Sequence, residues 1–183
     1  MCRIAVLACA GLFAMGWSLP AAGEQEIKGW TPIRGDWKRQ GSSIACNAEV
    51  AGLEYEKAPK ELIEIEFLLT IRSWAPGDLP RVVGIVWGAE TQDQPEYHAV
   101  ITPDKLIVAP RPETPGLPEK SIAFAPPLGK PIPVRARITK NQVLFLVGSA
   151  KLEVPLTSEP MGKLRLAVAR ADVTFSKLKV KVK

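Results

Sequence analysis

Between Leu164 and Val182, apolar side chains fall at 164, 166 and 168, then at 173 and 175, then at 178, 180 and 182. A period of two marks a β-strand with one buried face. The parity changes between Phe175 and Leu178, which predicts a bulge at Ser176–Lys177: one extra residue moves every following side chain to the other face. A chain that ends this way needs other strands to pair with and a core to cover. Lysines at 177, 179, 181 and 183 alternate with the apolar residues and read as a solvated face that guards the strand against edge-to-edge pairing.

Strand signals recur upstream, separated by turn residues. Asp36–Arg39 and Ser43–Asn47 flank Gln40-Gly41-Ser42, a hairpin signature. In Glu61–Arg72, Ile63, Ile65, Phe67, Leu69 and Ile71 point one way, and Glu64, Glu66, Leu68, Thr70 and Arg72 point the other. Ala75-Pro76-Gly77-Asp78 ends that strand. Val82–Ala89, Tyr97–Thr102, Leu106–Ala109, Val134–Thr139, Val143–Val147 and Leu152–Leu156 follow, before two terminal strands. No segment sustains a helical period, and Pro59 breaks the nearest one, Glu54–Leu62. Many short strands with regular turns predict an all-β sandwich or barrel. Prolines at 110, 112, 115, 118, 126, 127, 131 and 133 make 110–133 a surface excursion with at most a short edge strand at Ser121–Ala125. That excursion reads either as a stiff connector or as a lid over one sheet face.

The N-terminus has the layout of a secretory signal. Arg3 precedes an apolar run from Ile4 to Met15, and Ala21-Ala22-Gly23 predicts cleavage before Glu24. Val6-Leu7-Ala8-Cys9 also resembles a lipobox, the lipoprotein alternative. Residues 24–183 then form one exported domain with room for a sizeable core. No later stretch approaches the ~20 apolar residues of a membrane helix. The formal net charge of +5 is dispersed and accompanies no nucleic-acid motif, so nucleic acid is not an expected partner.

Cys2 and Cys9 belong to the signal, which leaves Cys46 alone, without an internal disulfide, as a small buried hydrophobe. A nucleophilic role for it would need His98, the single histidine, as base. No metal-ligand spacing or cofactor motif is present, so neither a metal nor a cofactor is expected.

Two constellations carry chemistry. Glycosidases work with a pair of carboxylates, and Glu64 and Glu66 stand on one face of a strand, where same-face neighbours lie about 7 Å apart. The other reading of this pair is a solvated strand face. Sugar binding uses aromatic platforms beside planar polar groups. Trp74, Trp87, Tyr97, Trp37 and Trp30 are the aromatic candidates, Trp74 the best placed at the surface, with Arg72, Glu96, His98, Arg135 and Arg137 as polar partners. Trp37 and Trp87 read as core. Arg135 and Arg137 share a face, so if they meet Glu64, Glu66 and Arg72 on one sheet they make a mixed-charge groove, or ordinary cross-strand pairs.

The order of elements resembles the concanavalin A-like lectin and glucanase jelly rolls, and within them bacterial secreted domains related to laminin G and to the 3-keto-disaccharide hydrolase (formerly unknown-function) family. The resemblance rests on Gly35-Asp-Trp-Lys-Arg-Gln-Gly-Ser-Ser-Ile44, Leu62-Ile-Glu-Ile-Glu-Phe-Leu-Leu69, Val83-Gly-Ile-Val-Trp-Gly88 with Tyr97-His-Ala-Val-Ile101, and the pair Val134-Arg-Ala-Arg-Ile138 and Leu144-Phe-Leu-Val-Gly148. Val173-Thr-Phe-Ser-Lys-Leu-Lys-Val180 completes it. Glu64-Ile65-Glu66 is similar to the Glu-x-Asp-x-Glu strand of the glucanases, but lacks its central Asp and has Leu62 at the first acidic position. The resemblance implies a jelly roll that binds a carbohydrate or an extracellular protein without catalysis. Alternatives are a glycoside hydrolase of the 3-keto-disaccharide or glucanase type, with Glu64 and Glu66 as acid and base, and a structural or assembly domain.

Overall fold

Alternation of apolar and polar residues produces twelve strands and no helix in the computed structural model, which describes residues 29–88, 96–111, 119–156 and 162–183. The secretory-signal reading of residues 1–23 and positions 112–118 of the proline-rich stretch lie outside those residues. The strands are β1 (Trp30–Arg34), β2 (Trp37–Gln40), β3 (Ser43–Tyr55), β4 (Leu62–Trp74), β5 (Val82–Gly88), β6 (Glu96–Ile101), β7 (Lys105–Arg111), β8 (Lys120–Ala123), β9 (Pro131–Thr139), β10 (Gln142–Val147), β11 (Ala150–Pro155) and β12 (Lys163–Val182). The expected hairpin closes β2 onto β3 over Gly41 and Ser42, with Gly41 at a φ of 61°.

The strands form a two-sheet antiparallel jelly roll. One sheet, here sheet A, runs β2, the first half of β3, the second half of β12, β4, β9, β10 and β11. Sheet B runs β1, the second half of β3, the first half of β12, then β5, β6, β7 and β8. The two terminal strands expected from the sequence are therefore one strand of 20 residues that serves both sheets. β3, expected to stop at Asn47, likewise continues to Tyr55 beside it. At the far edge, Lys120 of β8 donates from Nζ to the carbonyl of Glu153 in β11 at 2.8 Å, which helps draw the two sheets together.

Two residues of β12 with positive φ shape this double strand. Lys177, at 53°, is the extra residue of the bulge expected at Ser176–Lys177; the pairing with β4 shifts between Ser176 and Lys179. Arg170, at 54°, marks the corner between the sheets. Before it Leu164, Leu166 and Val168 face inward; after it Ala171, Val173 and Phe175 do. The same parity change is visible in the sequence between Val168 and Val173. Arg170 is pinned there by Glu49 at 2.6 Å and by the carbonyl of Pro76.

The strand signals of Glu61–Arg72 and Val134–Thr139 hold, with one extension. β9 starts at Pro131, inside the proline-rich stretch, because β10 pairs only with Val134–Ile138. Pro131 and Pro133 thus sit where no ladder donor is needed on that side. The carbonyl of Pro133 accepts from Gly148 at 2.9 Å instead. Ile63, Ile65, Leu69, Ile71, Ala136, Ile138, Val143, Phe145, Val173 and Phe175 pack the interior of sheet A, fully buried. Each large apolar side chain so placed contributes roughly 1.5–3 kcal/mol.

Candidate functional site

The outer face of sheet A gathers most of the residues singled out in the sequence. Register places Glu64 opposite Arg137 and Glu66 opposite Arg135 on β9, and opposite Lys181 and Lys179 on β12. Glu66 Oε1 lies 2.7 Å from Arg135 Nε, and Glu64 lies 3.5 Å from Arg137 and 3.3 Å from Lys181. The mixed-charge surface expected from β4 and β9 is thus formed, and β12 adds a column of lysines to it. Arg72 is on the same face, but at the other end of β4. It is the extra residue of a bulge between Ile71 and Ser73, and its guanidinium donates to Asp172 and Thr174, each at 2.7 Å.

A depression of about 320 Å³ opens on this face beside Glu66. Leu68, Pro133 and Leu146 lie in it, and Glu66, Arg135, Lys177 and Lys179 provide its charge. The two lysines, read from the sequence only as edge protection, come here because the bulge adds residue 177 to the outward side. Neither has an ion-pair partner among the described residues, whereas Glu66 is already engaged by Arg135. The edge reading also holds in part, for the pairing of β12 with β3 ends at Ser176.

Glu96 and His98 lie instead on the outer face of sheet B. They join a network centred on Arg165, a residue that no sequence motif singles out but whose place between Leu164 and Leu166 marks it as an outward cation. Arg165 bonds to Glu54 at 3.0 Å and to Glu96 at 2.5 Å; Lys163 reaches Glu54 at 3.0 Å, and His98 Nε2 is 3.9 Å from Glu96. The guanidinium is only 18% exposed, so the network binds three strands of sheet B across their outer surface.

The aromatic candidates do not form a set of surface platforms, and Trp30, 5% exposed, is core. Tyr97 is 2% exposed and stacks on Trp87 with ring centroids 5.7 Å apart, so it belongs to the core and is a correction to its reading as a ligand contact. It stands on the face of β6 opposite Glu96 and His98, with Ala99 and Ile101, although Val100 on the outer side is buried as well. Trp74, opposite Ala171, is half-buried against the core. Its flanking residues Ser73 and Ala75 line a second depression of about 300 Å³ at the corner, with Asn47, Glu49, Arg170 and Asp172. Trp87 is core, as expected; Trp37 is half-buried on Phe175, with its Nε1 donating to the Arg34 carbonyl at 2.9 Å. Among the described residues every aromatic side chain is buried or half-buried.

Cys46 is the buried hydrophobe it was expected to be, 2% exposed. Burial, aided by the charges of Asp36 and Asp172, pushes its thiol up to about 12, the opposite of what an activated nucleophile needs. His98 faces outward from the other sheet and cannot serve as its base.

No protein-family model matches this chain, and no curated protein matches it in sequence. Solved structures match it in shape. The carbohydrate binding module CBM66 from Bacillus subtilis superposes with a TM-score of 0.66 at 12% identity, covering 84% of this chain and 95% of that one. The carbohydrate recognition domain of Emp46p, in its metal-free form, gives 0.62 at 11% identity, covering 91% and 98%. Alginate lyase A1-II' gives 0.57 at 11% identity, covering 84% and 78%. At such identities the likeness is one of architecture: the chain is a jelly roll, a fold that carries binding modules and enzymes alike.

Proposed function

We propose that this protein is an exported, non-catalytic module that binds a glycan on the outer face of sheet A. The observation that carries this reading is the depression beside Glu66, where a floor of Leu68, Pro133 and Leu146 is bordered by Arg135, Lys177 and Lys179. Pyranose rings present C–H faces and hydroxyl edges, and a shallow apolar floor with convergent polar groups accommodates both. The fold adds support, since its structural neighbours include a carbohydrate binding module and a carbohydrate recognition domain.

Binding is favoured over hydrolysis by the surroundings of the two carboxylates. A glycosidase acid is kept protonated by an apolar pocket, whereas Glu64 and Glu66 are half-exposed and each is held against a cation. Calorimetry of the folded protein against a panel of polysaccharides is expected to give saturable binding that Arg135→Ala weakens. No reducing ends should appear, and Glu64→Gln and Glu66→Gln should leave that result unchanged. A folded protein that binds no glycan on the panel sinks the proposal; sugar release abolished by either Gln variant replaces it with the hydrolase.

A further inference from the structure

Charge at the depression goes further than the binding proposal, on which this inference rests. We infer that its ligand is an anionic glycan, bearing carboxylate or sulfate groups along the chain. The depression holds three cations against one anion, and that anion, Glu66, is neutralised by Arg135 at 2.7 Å. Lys177 and Lys179 are therefore the free charges of the site among the described residues. The next register row, Glu64 with Arg137 and Lys181, adds two cations for one carboxylate and extends the same sign along the strands.

Backbone geometry points the same way. A regular strand sends every second side chain to one face, so β12 by itself would place fewer lysines beside Leu68. The bulge adds Lys177 to the outward side, at a φ of 53°. Left-handed backbone costs a residue such as lysine roughly 1–2 kcal/mol. The bulge also carries Lys179 and Lys181 to the outward side, because it moves every following side chain to the other face. Through it both Lys177 and Lys179 stand over the depression.

The aromatic side chains complete the case: among the described residues they are buried or half-buried, and the one that lines the depression, Phe67, is 4% exposed and packs edge-on against Phe175. A neutral polysaccharide held chiefly by ring stacking requires an aromatic platform, and so does single-stranded nucleic acid, whose bases stack on such side chains. An aliphatic floor with mobile ammonium groups suits a chain of charged sugars, each ring lying on Leu68 and Pro133 while its acidic group reaches a lysine. Such contacts are charge-assisted and salt-dependent.

The test pairs polymers that differ in charge alone. The intact folded protein is titrated with polygalacturonate and with its fully methyl-esterified form, and with dextran sulfate and unmodified dextran. Binding to the charged member of at least one pair, at least about tenfold tighter than to its neutral counterpart and weakening as salt rises, is the expected result. Lys177→Ala and Lys179→Ala are each expected to weaken that binding about tenfold, the loss of one charge-assisted contact. Their unfolding midpoints should stay unchanged, and Lys105→Ala, on sheet B, should leave affinity intact. Equal affinity for a charged polymer and its neutral form overturns the inference while leaving glycan binding in place. Failure to bind any polysaccharide overturns both. A single-stranded oligonucleotide that binds as tightly as the charged glycans overturns the assignment to glycans, and so does an affinity equally sensitive to Lys105→Ala.

Discussion

Gly84 stands in the middle of β5, between Ala167 of β12 and Val100 of β6. Glycine inside a strand ordinarily costs roughly 0.5–1 kcal/mol relative to alanine, so on general grounds Gly84→Ala should stabilise the fold. The local geometry reverses the sign. A Cβ built at this position lies 2.2 Å from the carbonyl oxygen of Ala99 and 2.7 Å from the Cα of Val100. Ordinary C···O contacts begin near ~3.3 Å, so β6 has to withdraw by about 1 Å. The obstructing atoms nearest to it are backbone, in a strand held by β5 on one side and β7 on the other, and no rotamer change relieves them. A shift of that size carries neighbouring ladder bonds out of range. Two buried backbone groups left unpaired cost about 1–3 kcal/mol each, against which the gain from alanine is small. The expected net loss is about 2–4 kcal/mol, which lowers the thermal midpoint of a domain this size by roughly 5–15 °C. Urea unfolding followed by tryptophan fluorescence measures it, with Gly41→Ala as the reference. Gly41 has a positive φ but nothing within 4 Å of a built Cβ, so its cost is the backbone strain alone, about 1 kcal/mol. A Gly84→Ala protein as stable as its parent, or no less stable than Gly41→Ala, refutes the close approach of β5 and β6.

Phe175 meets Phe67 edge-on at 5.3 Å and Trp37 at 6.0 Å, so Phe175→Ala should cost about 3–5 kcal/mol in the same unfolding assay, far more than an exposed substitution. Cys46 should resist a thiol reagent at pH 8 until the chain unfolds. Because folding raises its pKa from 9.0 to about 12, its contribution to stability is whole below pH 9 and is lost as pH rises from 9 to 12, where the unfolded chain ionises first. Cys46→Ala should remove that part of the alkaline slope; identical slopes for both proteins count against the burial argument. The ion pair of Glu66 with Arg135 is exposed, so Arg135→Ala should change stability by less than about 1 kcal/mol. Arg165→Ala should cost more, about 1–3 kcal/mol, since it strips a half-buried network of its bridging donor. Equal effects of the two arginine substitutions in chemical denaturation count against that ranking.

Much of the candidate site could be read from β4 and β9 alone. Alternation places Glu64 and Glu66 on one face of β4, and Arg135 and Arg137 on one face of β9, whatever the strands pair with. That the two columns meet residue for residue depends on a register between segments far apart in the chain. Arg165 shows the limit from the other side: its outward position is legible between Leu164 and Leu166, but its partners Glu54 and Glu96 come from β3 and β6. Tyr97 reads as a ligand contact from its residue type, although alternation with Glu96 and His98 places it on the opposite face of β6, where it is buried.

The sequence by itself determined what local sterics and side-chain period control. These are strands β2 and β4 to β11, the hairpin over Gly41 and the bulge at Lys177, each written in a few consecutive residues; β1 and the second half of β3 were not legible there. Tertiary structure decided what depends on distant partners. Continuity of β12 through both sheets is one such outcome: the partners that hold its corner at Arg170, Glu49 and the carbonyl of Pro76, come from distant parts of the chain. The depression is another. Its floor comes from β4, β9 and β10 and its free cations from β12, and only the packed sheet brings those apolar and charged groups to one place.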